Sequence, residues 1–220
     1  MITLPIALSF RGRVACALGR VGMKGLLWIC QICEGITYEV VGRENLPNGP
    51  FIVGAEHQSA LDPMILYVEL NCPSFILKQE LKKFPVLGLW FTLCGSMYID
   101  RSQKVAALKK MIRECRKKYE DGKVIALFPA GTRSTEAPSD KQYQEGITAI
   151  YHALQVPVVP VMLNTGKFWP GAIISLGKKP GKATLKIMPP IKPGLERKAF
   201  MKEFKNSMVE GEGNLCESWQ

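Results

Sequence analysis

The chain has 220 residues, enough for one well-buried domain, and no Pro/Ser-rich linker, repeat or low-complexity tract divides it. Lysine plus arginine exceed aspartate plus glutamate by 29 to 19, a formal charge of +10, while 47% of residues are hydrophobic. An anionic membrane surface suits both the charge and the apolar content; nucleic acid suits only the charge, and neither a recognition module nor interleaved stacking aromatics support it. Seven cysteines, an odd number at irregular spacings, do not look like a disulfide framework, so a reducing compartment is expected. Cys30-x-x-Cys33 has no second such pair beside it, and two distant histidines complete no ligand set, so neither metal nor cofactor is indicated.

Residues 1 to 33 are apolar but interrupted by Arg11, Arg13, Arg20 and Lys24, so no uncharged run reaches the ~18 residues a membrane span requires. The segment reads instead as an amphipathic helix, lying at a membrane interface, packed on the domain, or both. We therefore divide the chain into a membrane-associated helical segment, 1–36, and a domain, 37–220. Thr37 to Val41 reads as a strand and Asn45 to Gly49 as a turn. Next, the apolar run Pro50 to Ala55 reads as a buried strand that delivers Glu56-His57-Gln58-Ser59-Ala60-Leu61-Asp62-Pro63. Asp62-Pro63 matches an N-cap followed by Pro at the first helical position. His57 thus falls just ahead of a helix N-terminus, where the positive end disfavours imidazolium and leaves a neutral ring able to accept a proton. Asp62 is placed to accept the Nδ1 proton and fix the tautomer. The structural alternative is a polar turn residue followed by a plain cap.

Phe75 to Leu77 is the next strand. Lys78 and Lys82 then lead a helical stretch, broken at Pro85 and Gly88, whose Leu87, Leu89, Trp90, Phe91 and Leu93 read as core or as the lining of an acyl groove. Gly95 to Arg101 forms a short strand ending in Asp-Arg. The helix from about Gln103 to Tyr119 carries Val105, Leu108, Ile112, Cys115 and Tyr119 as its buried stripe, with seven basic residues on the remaining faces. Lys123 to Phe128 is a buried strand followed by Pro129-Ala130-Gly131-Thr132-Arg133-Ser134, a turn with the glycine, hydroxyl and guanidinium that suit a phosphate. His152 lies in the following helix with no nucleophile or acid nearby and reads as structural. Val156 to Met162 is a strand whose Pro157 and Pro160 demand a strand start, an edge or a bulge. A late strand, Ala183 to Met188, precedes a charged helical tail. Strands alternating with helices predict an α/β fold: a mixed, mostly parallel sheet flanked by helices, with the site at its carboxyl edge.

Four of these strand ends together resemble the glycerophospholipid acyltransferase family. His57 to Asp62 looks like its first motif, Gly95 to Arg101 its second, Phe128 to Ser134 its third and Val156 to Val161 its fourth. The resemblance implies transfer of a fatty acyl group from an acyl carrier protein or coenzyme A thioester to a lysophospholipid hydroxyl, most often lysophosphatidate, at the cytoplasmic face of the cell membrane. By the same resemblance His57 is the general base and Asp62 its orienting partner. Arg101 and Arg133 hold the acceptor phosphate, and Gly131 and Thr132 shape the turn; Lys78 and Ser59 are supporting candidates, Ser59 as a turn residue rather than a nucleophile. The partners implied are membrane phospholipids, the lysolipid and the thioester donor. One departure stands out: the third motif normally carries Glu before Gly-Thr-Arg, and here that position is Ala130. Glu136 and Asp140 are the nearby carboxylates available to replace it, the alternatives being a different acceptor or a disabled site.

Overall fold

The computed structural model of the protein describes residues 3–83, 85–100, 104–171 and 177–217. Among these, seven strands, β1 (Ile36–Val41), β2 (Ile52–Ala55), β3 (Ser74–Lys78), β4 (Met97–Ile99), β5 (Ile125–Leu127), β6 (Val158–Leu163) and β7 (Gly181–Ile187), form one sheet in the order β1-β7-β6-β2-β5-β3-β4. All neighbours run parallel except β6 and β7. The expected mixed, mostly parallel α/β sheet is the one observed. Successive residues of the central strands feed opposite faces, as the two-residue period of a strand requires. Val53, Ala126 and Val159 point into one apolar layer, whereas Ile52, Ile125 and Val158 point into the other. The first layer lies under helices α1 (Thr3–Glu34), α2 (Leu61–Glu69) and α3 (Pro85–Leu93). The second lies under α4 (Lys104–Glu120), α5 (Glu145–Leu154) and α6 (Arg197–Glu217), whose Phe200, Phe204 and Met208 are wholly buried.

Gly54 sits on the second face, and a Cβ there would lie 2.6 Å from both Ile147 Cδ1 and Phe204 Cε2. Because those side chains are themselves locked in the core, Gly54→Ala should destabilise the fold by about 1–3 kcal/mol, read as a lower urea midpoint at unchanged slope.

Pro160 occupies an interior strand without breaking the ladder. Its position pairs with Gly54 of β2, and the side of β6 on which its nitrogen lies faces β7 and its continuation. There Val161 pairs with Ile187 and Val158 bridges Ile191, so two residues between these pairs on β6 oppose three on the other strand. That extra residue is a bulge, as the proline required.

Three readings of the helices need correction. Val105 is 69% exposed, and the buried face of α4 runs instead through Ala107, Met111 and Cys115, with Leu108 and Tyr119 beside it; Val105 lies in the first turn, ahead of the packed segment. Leu89 and Leu93 are exposed at 62% and 48%, so α3 offers apolar surface outward and is not simply core; only Phe91 and Cys94 of this region reach the apolar layer, and the side chains of Leu87 and Trp90 lie outside the described residues. Nor does Pro85 end a helix: it opens α3.

Helix α1 is continuous for 32 residues, and its segment Gly12–Glu34, with mean hydropathy 1.2, is by length and composition able to cross a membrane, contrary to the reading that its charges preclude this. Its faces are nonetheless distinct. Cys16, Met23, Leu27 and Cys30 pack on the domain, a contact running about 21 Å along the helix. Val14, Leu18, Val21, Trp28 and Ile32, at spacings that return to one side of a helix, are 53–69% exposed on the opposite face. Cys16 is also disulfide-bonded to Cys72, just beyond α2, against the expectation of unpaired cysteines; the two are 56 residues apart in sequence, a pairing that spacing cannot disclose. The sulfurs of Cys16, Cys72 and Cys94 lie within 4.8 Å of one another, but with the first two joined, only Cys94 is a free thiol there.

Candidate active site

The central strand β2 ends at Ala55, and its next residues turn across the carboxyl edge of the sheet into α2. That helix starts at Leu61, capped by Ala60, so Asp62 lies in its first turn instead of at the cap. Asp62 is fully buried and its carboxylate folds back over the turn. Oδ2 accepts hydrogen bonds from the amides of Gln58, at 2.6 Å, and Ser59, at 2.7 Å, and lies 2.9 Å from His57 Nδ1. Oδ1 accepts from the hydroxyl of Thr165, which is itself fully buried. With Oδ2 already accepting from two amides, the neutral tautomer that fits this contact carries its proton on Nδ1, which makes Nε2 the ring nitrogen able to accept one. The His57 side chain is 19% exposed and its ring stacks on Phe128, centroids 4.0 Å apart, so two independent contacts fix its plane. An imidazole so held can accept a proton at Nε2 while the carboxylate stabilises the charge that forms.

Ser59 is buried and its hydroxyl accepts from the Leu61 amide at 3.2 Å. The strand β5, hydrogen-bonded beside β2, brings the Gly131-Thr132-Arg133 turn alongside. Gly131 has φ +76°, a left-handed conformation that favours glycine, and its amide closes the turn on Phe128 O at 3.0 Å. Thr132 and Arg133 are exposed, and Arg133 Nη1 donates to Gly171 O at 2.8 Å. The Ser134 amide donates to His57 O at 3.0 Å, joining the first and third motifs through the main chain. Lys78 is exposed at the end of β3, two strands from β2, and has no described contact with the His57 turn. Arg101 lies outside the described residues.

Around this centre are side chains that the sequence did not single out. Thr165, in the short 3-10 turn after β6, completes the Asp62 shell. Glu56, 1% exposed, accepts from the His57 amide at 3.1 Å and forms an ion pair with Lys141, 4% exposed. By contrast Glu136 and Asp140, the carboxylates considered as substitutes at position 130, are both exposed. Beyond Gln58, Thr135 and Gly166 a cavity of about 370 Å³ opens toward Lys167 and Glu212. Burial raises the Glu212 carboxyl above its ordinary range, with Lys141 opposing and Glu56 reinforcing that shift.

The family model described as Acyltransferase matches residues 37–164, and the chain belongs to that family. It is 35% identical over 163 residues to the 1-acyl-sn-glycerol-3-phosphate acyltransferase of Pseudomonas aeruginosa, covering 74% of this chain and 62% of that protein. With the enzyme of the same name from Saccharomyces cerevisiae it shares 30% identity over 139 residues, 62% of this chain and 46% of the relative. The chain thus spans less than two thirds of the length of these curated relatives. Its fold resembles the crystal structure of the 1-acyl-sn-glycerophosphate (LPA) acyltransferase from Thermotoga maritima, with a TM-score of 0.71 at 24% identity, over 98% of this chain and 84% of that one.

Proposed function

We propose that the protein transfers a fatty acyl group from an acyl carrier protein or coenzyme A thioester to the sn-2 hydroxyl of lysophosphatidate, giving phosphatidate. The observation that carries this reading is the Asp62-anchored His57 ring, with Nε2 bare at the carboxyl edge of the sheet. His57 Nε2 takes the hydroxyl proton as the oxygen attacks the thioester carbonyl. The tetrahedral adduct then collapses, the C–S bond breaks, and the proton leaves with the thiolate, so an ester replaces a thioester without a covalent enzyme intermediate or added cofactor. Arg133, with Arg101, binds the acceptor phosphate, for which planar guanidinium forks are suited. The names of the relatives support this acceptor.

The protein works at the cytoplasmic face of the cell membrane, with residues 1–36 as its docking segment and 37–220 as its catalytic domain. Because α1 lies against the domain along one face, its exposed apolar stripe and the exposed Leu89 and Leu93 of α3 favour insertion in the plane of the interface.

The test is transfer of labelled acyl groups from both thioesters to lysophosphatidate in liposomes, with glycerol 3-phosphate and lysophosphatidylcholine as competing acceptors and the His57→Ala protein as control. Preferred use of lysophosphatidate supports the proposal. Preference for another acceptor moves the assignment within the family, and binding without turnover makes Ala130 the mark of a disabled site.

A further inference from the structure

The loop from residue 129 to 144 carries Gly131, Thr132 and Arg133 yet forms no helix or strand of its own. Its attachment to the His57 turn converges on one buried carboxylate oxygen. Glu56 Oε1 accepts from the His57 amide and from Lys141 Nζ, and Lys141 Nζ reaches back to Ser134 O at 3.0 Å. The Ser134 amide in turn is bonded to His57 O. The pair therefore closes a ring, His57–Glu56–Lys141–Ser134–His57, through both side chains and main chain.

The ion pair is sealed: the side chains of Lys141 and Glu56 are 2% and 0% exposed. Neither touches a substrate at that burial, so neither is a catalytic residue. Nor is stability an adequate reason for the pair, since desolvating two charges offsets most of their attraction and an apolar pair of similar volume does as well or better. What such a pair does supply is a fixed separation between two segments, because any other arrangement leaves a charge buried alone. The surroundings enforce this. Glu56 Oε2 and the Tyr143 hydroxyl are both buried beside one another, and the Tyr143 phenol is pushed up by burial, by the Glu56 and Glu212 charges and by its hydrogen bond toward Glu56. A displaced Lys141 would leave the buried Glu56 carboxylate without its ion-pair partner.

We infer that Glu56 and Lys141 are positioning residues, a buried clamp that sets the phosphate-binding loop against the general base. Its role in substrate use rests on the acyltransferase reading, whereas its role in holding the loop does not. The experiment compares Lys141→Arg, Glu56→Asp and the charge-free double variant Glu56→Gln/Lys141→Met in the full chain. Hydrogen exchange of segment 130–141 and acyl-transfer kinetics are measured together. In the double variant, exchange of this segment should rise at least tenfold while β2 and β5 stay protected, since the loop opens locally without global unfolding, and a tenfold rise corresponds to about 1.4 kcal/mol. KM for the acceptor should rise with KM for the thioester unchanged, a split that simple loss of stability does not produce. Lys141→Arg should retain most of the parent behaviour, and Glu56→Asp, which shortens the reach but keeps both charges, should fall between; it decides the matter if the double variant does not fold. Parent-like exchange in the folded double variant, or in Glu56→Asp, overturns the clamp. A loosened loop in a protein that transfers no acyl groups even as the parent retires the proposed function and leaves the clamp standing.

Discussion

Replacement of His57 by alanine is expected to lower acyl transfer by on the order of 10²–10⁴-fold, the usual contribution of a positioned general base, with little change in melting temperature. The substitution removes one hydrogen bond and one ring stack from a side chain that already meets solvent. Asp62 separates charge from geometry. In Asp62→Asn, the amide oxygen can occupy the Oδ2 position, accepting from the Gln58 and Ser59 amides and from His57, while the NH₂ group faces the Thr165 hydroxyl, which can accept. The opposite orientation sets the NH₂ group against those three donors and is excluded. The histidine tautomer therefore survives and only the negative charge is lost, so the expected drop is about 10²–10³-fold, below the roughly 10⁴-fold of a tautomer-inverting exchange. Asp62→Ala is a different experiment. It leaves two amides and a hydroxyl buried without their acceptor, at about 1–3 kcal/mol for each group that stays unsatisfied, and should lower the melting temperature sharply. An Asn variant with parent activity would show that the carboxylate charge plays no part and would sink the base assignment as stated.

Replacing Leu18 and Trp28 together by glutamate is expected to detach the protein from anionic vesicles. Both lie on the outward stripe of α1, 61% and 62% exposed, so the change leaves the packed face of Cys16, Met23, Leu27 and Cys30 untouched. Burying each such side chain is worth about 1.5–3 kcal/mol, so losing two, before counting repulsion from the lipid headgroups, weakens partitioning by well over 100-fold. Arg13→Gln with Lys24→Gln should have a smaller, salt-dependent effect, near 1 kcal/mol per basic residue. Vesicle sedimentation at two ionic strengths reads both. If the glutamate variant still sediments, α1 is not the principal docking element and the apolar surface of α3 becomes the candidate.

Features carried by neighbours in sequence were the legible ones. The strand endings, the five-residue spacing of His57 and Asp62, and the demand that Pro160 places on its surroundings could all be read because each depends on local backbone geometry. What stayed hidden depends on residues brought together from far apart. Thr165 follows an ordinary strand and nothing near it points to Asp62; Lys141 sits in a polar loop that looks solvated but folds inward to a glutamate on another strand end. Ala130 looked like a carboxylate missing from its turn, whereas a buried carboxylate that the sequence did not single out, Glu56, stands immediately before the first motif. Leu89 and Leu93 were misjudged because apolar residues are assigned to the core by default, and a membrane-facing surface has the same composition.

The candidate active site also ties the proposed acyl transfer to the slowest events in building the chain. The Asp62 shell closes across 103 residues, the Glu56–Lys141 pair across 85, and the β1 side of the sheet joins Thr37 to a partner 144 residues away. A parallel sheet of such distant pairings has high contact order and folds slowly, because each contact must wait for a long segment to be ordered. Helical signal should return early on dilution from denaturant, when α1, α4 and α6 can form from local contacts. Acyl transfer should return only in the final kinetic phase, which makes turnover itself the most stringent readout of complete folding.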